Sequence, residues 1–370
     1  MLYEYMRNFG FTNQEISLII CSHSVRKFRN ETLYVNIRSL FEFLLSIGYS
    51  CLGVIKMVNL HPGLCCYTSD MIKEKINFLI SLGYTKEEVI KMTVVSPSMF
   101  GLSIDNIDSK INNLRMLGYS NKEILKQVRN YPQLFNLSVD SVKEIHLFFK
   151  KLGFSDEQVR KIINSKSNLY GYKISFLEDK VNVMIEIGYN KNEVVKMIKK
   201  FPNILALSIE RIKNRIDELI MLGYTTKEAI YITRTFPAIF SYDIENMKSK
   251  IYGIVSLGYN YDTTKKMILS LPSLLGLNMD TIREKKEFYD EIGLSDIFIV
   301  KPKYLMQSIE LSYARYMFYK DIGIDIDMNN YLILFISQGD FYKKYRKDKM
   351  EILELYNYKK DDFNKIKKLV

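Results

Sequence analysis

Two columns of cations recur along this 370-residue chain at a fixed step of 35 residues. Positive charge repeated along a surface suits the binding of a polyanion better than any bond-making chemistry. One column stands eight residues before a recurring glycine and holds Lys75, Lys110, Lys180, Arg215, Lys250 and Lys285, with Ile145 out of pattern. Two residues earlier, Lys73, Lys143, Lys213, Lys248 and Arg283 add more charge. The other column stands eight residues after each glycine: Lys56, Lys91, Lys126, Lys161, Lys196, Lys266 and Lys301, with Tyr231 the exception.

Local neutralisation separates the two columns. Glu87, Glu157 and Asp262 stand four residues before Lys91, Lys161 and Lys266, and Glu123 and Glu193 stand three before Lys126 and Lys196. Such pairs are ordinary on an exposed helix face. In the column before the glycine, only Arg215 has an acid three or four residues away, Glu218. That column flanks an apolar stripe. Its alkyl stems are expected to pack beside the core while the charged ends point outward to phosphate. An alternative is a salt bridge to the neighbouring unit.

Other chemistry finds little support. Glu88, Glu123, Glu193 and Glu228 recur in register. A group repeated in every unit reads as a structural helix cap, because an active site is normally built once. The cysteines are Cys21, Cys51, Cys65 and Cys66, and the histidines are His23, His61 and His146. His61 lies four residues before Cys65, but no second spaced ligand pair completes a zinc site. No Gly-rich phosphate loop ending in Lys-Ser/Thr occurs. No enzyme, metal, cofactor or small-molecule substrate is expected.

The bulk composition agrees with a polyanion partner. The formal net charge is +11, from 53 Lys+Arg against 42 Asp+Glu. No apolar run reaches membrane-spanning length. Four cysteines in so long a chain suit a reducing compartment. The N-terminus lacks an apolar signal region and the acid-poor look of a transit peptide. A bacterial cytoplasm is therefore expected, or a mitochondrion or plastid if a presequence has been removed.

The elements that carry the columns follow from the repeat. Gly48-Tyr49, Gly83-Tyr84, Gly118-Tyr119, Gly153-Phe154, Gly188-Tyr189, Gly223-Tyr224 and Gly258-Tyr259 keep the 35-residue step, and Gly293-Leu294 keeps it once more. Pro62, Pro97, Pro132, Pro202, Pro237 and Pro272 follow fourteen residues after the glycines, with Ser167 breaking the series. In the unit Pro97–Pro132, Ser103 is an N-cap residue, and Ile104, Ile107, Ile111, Leu114 and Leu117 make one apolar helical stripe. Gly118 ends that helix. Ser120 with Glu123 has capping-box spacing, and Ile124 and Val128 line a second, shorter helix that Pro132 ends. The apolar piece after the proline reads as a tight helical turn, with 3₁₀ geometry one option. The corner aromatics are expected to be packing wedges rather than base-stacking groups.

These units resemble the mitochondrial transcription termination factor (mTERF) repeat over about residues 40–310, and more loosely at the ends. The resemblance implies an all-α, curved helical-repeat solenoid of about eight to nine units, each of two α-helices and a short 3₁₀ turn. It also implies a basic path that binds nucleic acid, in transcription termination or regulation, ribosome assembly or RNA splicing. A monomer on double-stranded DNA is the leading expectation. RNA binding and a protein-interaction scaffold are the alternatives. The solenoid is expected over 1–335, with regular units over about 48–292 and irregular capping units at both ends. A basic helix or tail over 336–370 would follow. The unit around 153–187, which lacks its proline, is a candidate bend or weak joint.

Overall fold

The computed structural model describes residues 1–358. Among them the chain forms 21 α-helices and nine 3₁₀ turns, and no strand. The all-α repeat is therefore what the chain adopts. Lys359, Lys360, Lys365, Lys367 and Lys368 of the expected basic tail lie outside the described residues.

The unit that starts at Pro97 shows how sequence makes structure. The Ser103 hydroxyl accepts from the Asn106 N–H at 3.2 Å and starts the long helix Ile104–Met116. Gly118 ends it at φ +86°, so that its own N–H reaches Arg115 O at 2.9 Å and the Tyr119 N–H reaches Leu114 O at 3.2 Å. Each glycine of the series has a positive φ, which a side chain resists. The short helix Asn121–Asn130 opens on the expected capping box between Ser120 and Glu123. Tyr131 then leaves the helical region at φ −142° and ψ +77°, since proline disfavours helix at the residue before it, and Pro132–Asn136 makes a 3₁₀ turn. The equivalent turn Ser167–Gly171 forms without proline, and the Ser167 hydroxyl donates to Ile163 O at 3.2 Å.

Three kinds of contact recur between neighbouring repeats within the two compact parts of the chain. The first is the corner aromatic. Tyr49, Tyr84, Tyr119, Phe154, Tyr189, Tyr224 and Tyr259 are all buried. They are wedges, as expected. The Tyr49 hydroxyl donates to Thr93 Oγ1 at 2.6 Å, and Thr93 in turn donates to Val89 O at 2.8 Å. Tyr189 and Thr233 repeat that pair. Where the next unit has Val128 or Ile268 at the threonine position, the hydroxyls of Tyr84 and Tyr224 are buried without a partner among the described residues. The second contact lies over the glycine corner, where a Cβ on Gly83 would meet Leu125 Cδ1 at 3.3 Å.

The third contact extends the capping box. Four of the cap glutamates use one oxygen on their own helix and the other on the next short helix. Glu88 Oε1 holds Arg129 at 2.7 Å. Glu15 accepts from Asn59, Glu123 from Asn164, and Glu193 from Arg234. The recurring acids are structural caps, and Glu88, Glu123 and Glu193 also join neighbouring units.

The chain divides into two compact units, Met1–Asn182 and Val183–Val370. The division falls inside the helix Ile174–Ile187, next to the turn that lacks proline. In the second unit the expected basic tail begins as two short helices, Gln338–Tyr345 and Lys349–Leu355. The latter packs on the last long helix, Ile309–Asp321, and Phe341 and Ile352 are fully buried.

Candidate nucleic-acid interface

The column before each glycine lies on the long helices, and its charged ends do not point outward as expected. Lys75, Lys180, Arg215 and Lys285 are buried, and Lys110 and Lys250 are half-buried. Most of them end on a carbonyl in, or directly after, the 3₁₀ turn that follows the next short helix. Lys110 Nζ donates to Phe135 O, Lys250 Nζ to Leu277 O, and Lys285 Nζ to Leu305 O at 2.6 Å. The Arg215 guanidinium donates to Tyr242 O and pairs with Glu218 at 2.6 Å. Lys180 lies beneath aromatic rings, 3.9 Å from the centroid of Phe176 and 5.3 Å from that of Tyr172.

The physical reason is the open end of each turn. A helical end leaves carbonyls without intrahelical partners, and a cation there answers both the hydrogen-bond need and the partial negative charge. Burial has its cost. Desolvation holds Lys75, Lys110, Lys250 and Lys285 below the ordinary lysine range, and takes Lys180 down to about 8. It takes Arg215 down to about 10, against the opposing pull of Glu218. The missing local acid, which in the sequence suggests free charge, reflects a partner about 20 to 27 residues away. Arg315 extends the column, hidden from the sequence pattern because the final repeat step is shortened. It stands eight residues before Gly323, is buried, and donates to Leu334 O at 2.7 Å and Ile336 O at 2.8 Å.

The cations two residues earlier are more open. Lys73, Lys143, Lys213 and Arg283 are exposed and Lys248 is partly so. Each follows an acid by three residues: Asp70, Asp140, Glu210, Glu245 or Asp280. Two of these pairs are closed, Lys248 with Glu245 at 2.8 Å and Arg283 with Asp280 at 3.0 Å. This stripe therefore alternates in sign.

The column after each glycine lies on the short helices, with Lys301 directly after the last of them, and is open throughout. Lys56, Lys91, Lys126, Lys161, Lys196, Lys266 and Lys301 are all exposed. Among the described residues only Lys161 of this set closes an ion pair, with Glu157 at 2.6 Å. Glu123 and Glu193, which the sequence placed beside Lys126 and Lys196, are instead held by the caps and the next unit.

The distribution of charge agrees with this division. In the second unit the short helices Lys191–Lys200, Thr226–Thr235 and Tyr261–Ser270 carry eight cations and three acids. The long helices Ile209–Met221, Ile244–Val255 and Met279–Glu291 carry eight cations and nine acids. In the first unit the short helices Cys51–Leu60, Lys86–Val95, Asn121–Asn130 and Asp156–Ser165 carry eight cations and five acids. Its long helices Asn30–Ser46, Ser69–Ser81, Ile104–Met116 and Val139–Lys151 carry eight of each. The open positive surface of each unit is on the short-helix side.

Near the C-terminus, Lys343, Lys344, Arg346 and Lys349 are exposed, and Lys347 lies 3.8 Å from Glu351. Among the described residues no helix is long and apolar enough to cross a membrane, and no cluster of three His, Cys, Asp or Glu could hold a metal ion. Cys65 is buried, and burial pushes its thiol up to about 12.

The family model named mTERF matches residues 2–180 and 147–332. Together the two matches span residues 2–332, well over half of the chain, so the chain belongs to the mTERF family, whose members are nucleic-acid-binding helical-repeat factors. No curated protein matches it.

Proposed function

We propose that this mTERF-family chain is a nucleic-acid-binding regulator of gene expression that holds phosphates on the lysine ladder of its short helices. The carrying observation is the contrast between columns: the cations before each glycine are mostly buried plugs, while those after it are exposed and mostly unpaired. In this reading Lys75, Lys110, Lys180, Arg215, Lys250 and Lys285 hold the spacing of the ladder, and Lys73, Lys143 and Lys213 add weak contacts from the long helices. Lys248 and Arg283 add least, because each is paired.

Phosphate contacts position a nucleic acid without reading its sequence. Double-stranded DNA, in transcription termination or regulation, is the first target to test. An RNA target in ribosome assembly or RNA processing is the second reading, favoured by the exposed Tyr231 in the ladder. The test is binding of the full chain to duplex DNA, single-stranded DNA and RNA across salt concentrations. The Lys56, Lys91, Lys126, Lys196 and Lys266→Gln combination should weaken binding to all three and flatten the salt dependence. Unchanged binding would remove the ladder from the mechanism, and salt-insensitive capture of a protein partner would promote the scaffold reading.

A further inference from the structure

One junction in the second unit departs from the repeat at two register positions at once. Tyr231 stands where other short helices carry lysine, and the residue is 37% exposed. Leu269 stands where earlier junctions place Asn59, Arg129, Asn164 or Arg234, the residue that occupies the second oxygen of the preceding cap glutamate. Glu228 Oε2 still caps its own helix, accepting from the Thr225 N–H at 2.8 Å. Among the described residues its Oε1 has no hydrogen-bond partner, and the long polar group that would cover it is replaced by an aliphatic one.

The result is an open cleft of about 450 Å³ between Thr226–Thr235 and Tyr261–Ser270, lined by Lys227, Glu228, Tyr231, Lys266, Leu269 and Ser270. Tyr231 and Leu269 give the lining its apolar part, Lys227 and Lys266 bring positive charge, and Glu228 brings a carboxylate that can accept. The Arg234 guanidinium lies 5.3 Å from the centroid of the Tyr231 ring. Aromatic and guanidinium planes are the surfaces on which unpaired bases stack, at about 1–3 kcal/mol per base.

We propose that this cleft is a nucleobase site for single-stranded nucleic acid: an unpaired base stacks on Tyr231, its exocyclic amine donates to Glu228 Oε1, and Lys227 and Lys266 hold the flanking phosphates. Because uracil and thymine carry no exocyclic amine, adenine, cytosine and guanine are preferred. The proposal rests on the nucleic-acid reading and adds strand type and base preference to it.

The chain contains no tryptophan, so Tyr231→Trp makes a single fluorescent reporter at the site. Binding is measured for the full chain with single-stranded adenine, cytosine and uracil homopolymers of one length, an abasic strand, and a matched duplex. Adenine and cytosine strands should bind more tightly than uracil and quench the Tyr231→Trp emission, while the abasic strand should not quench it. Tyr231→Ala should weaken adenine and cytosine strands roughly 5- to 150-fold and leave the duplex within about twofold, on the reasoning that paired bases cannot enter the cleft. Glu228→Gln keeps a residue type that already caps at Gln158, and should narrow the preference over uracil. Unchanged single-strand binding in Tyr231→Ala, beside intact salt-dependent binding, would overturn the base site and leave the ladder standing. Tighter single-strand binding by Tyr231→Lys would show that the position senses charge alone, with the same consequence. A wild-type chain that binds no nucleic acid would overturn both readings.

Discussion

Tyr49 and Tyr84 occupy the same register position and are equally buried, yet their hydroxyls differ in worth. Tyr49 is paired through Thr93, and Tyr84 faces a unit with Val128 at that place. A buried hydroxyl contributes only when it is satisfied. Tyr84→Phe should leave stability unchanged or raise it, Tyr49→Phe should cost about 1 kcal/mol, and Thr93→Val about 1–3 kcal/mol. Urea denaturation midpoints of the three variants check this; equal losses for the two tyrosines would contradict it. His146 makes a pH prediction. It is buried against Tyr119 Oη at 3.2 Å and Tyr170 Oη at 3.0 Å, and desolvation takes it down to about 4 from 6.5. Since its folded value lies below the unfolded one, the neutral form's contribution is complete above pH 6.5 and is lost as pH falls toward 4. Melting temperature measured from about pH 7 to about pH 4 should fall more steeply in the wild type than in His146→Gln.

At the scale of elements, the buried cations fasten a long helix to a 3₁₀ turn from the next unit. Lys285→Met leaves Leu305 O without its donor, and should cost about 1–3 kcal/mol. Arg215→Met strips a partner from both Tyr242 O and the half-buried Glu218, and should cost about 3 kcal/mol or more. Both losses are measured by equilibrium unfolding. The folded variants should keep the salt dependence of nucleic-acid binding, and a flattened dependence would return these residues to the interface.

For the whole molecule, the measurable quantity is the number of phosphates engaged. Engaging roughly 6–10 phosphates would lower affinity about 10³–10⁵-fold between about 50 and 200 mM salt, and on a duplex each phosphate no longer held changes the logarithmic slope by roughly 0.9. Removing the five ladder lysines Lys56, Lys91, Lys126, Lys196 and Lys266 should therefore reduce the slope by about 4 to 5. A change near zero would mean that the short-helix surface only keeps the chain soluble.

The repeat was legible because its signals are local. Gly118 at a helix end, Ser120 with Glu123 three residues on, and Pro132 after the second helix each act within a few bonds of themselves. The apolar spacing of Ile107, Ile111 and Leu114 alone determined which side of the long helix is buried. Whether Lys110 or Lys126 faces solvent was not available from such signals. Both are lysines at a fixed register, and the local acids pointed the wrong way: Lys110 looked free and is held by Phe135 O, whereas Lys126 looked neutralised and stands open. The deciding partners, a turn carbonyl about 25 residues away and a side chain 41 residues beyond the cap glutamate, come within reach only when units stack. Local chemistry therefore determined the elements and their period. Tertiary stacking decided which charges the protein spends on itself and which it leaves for a partner.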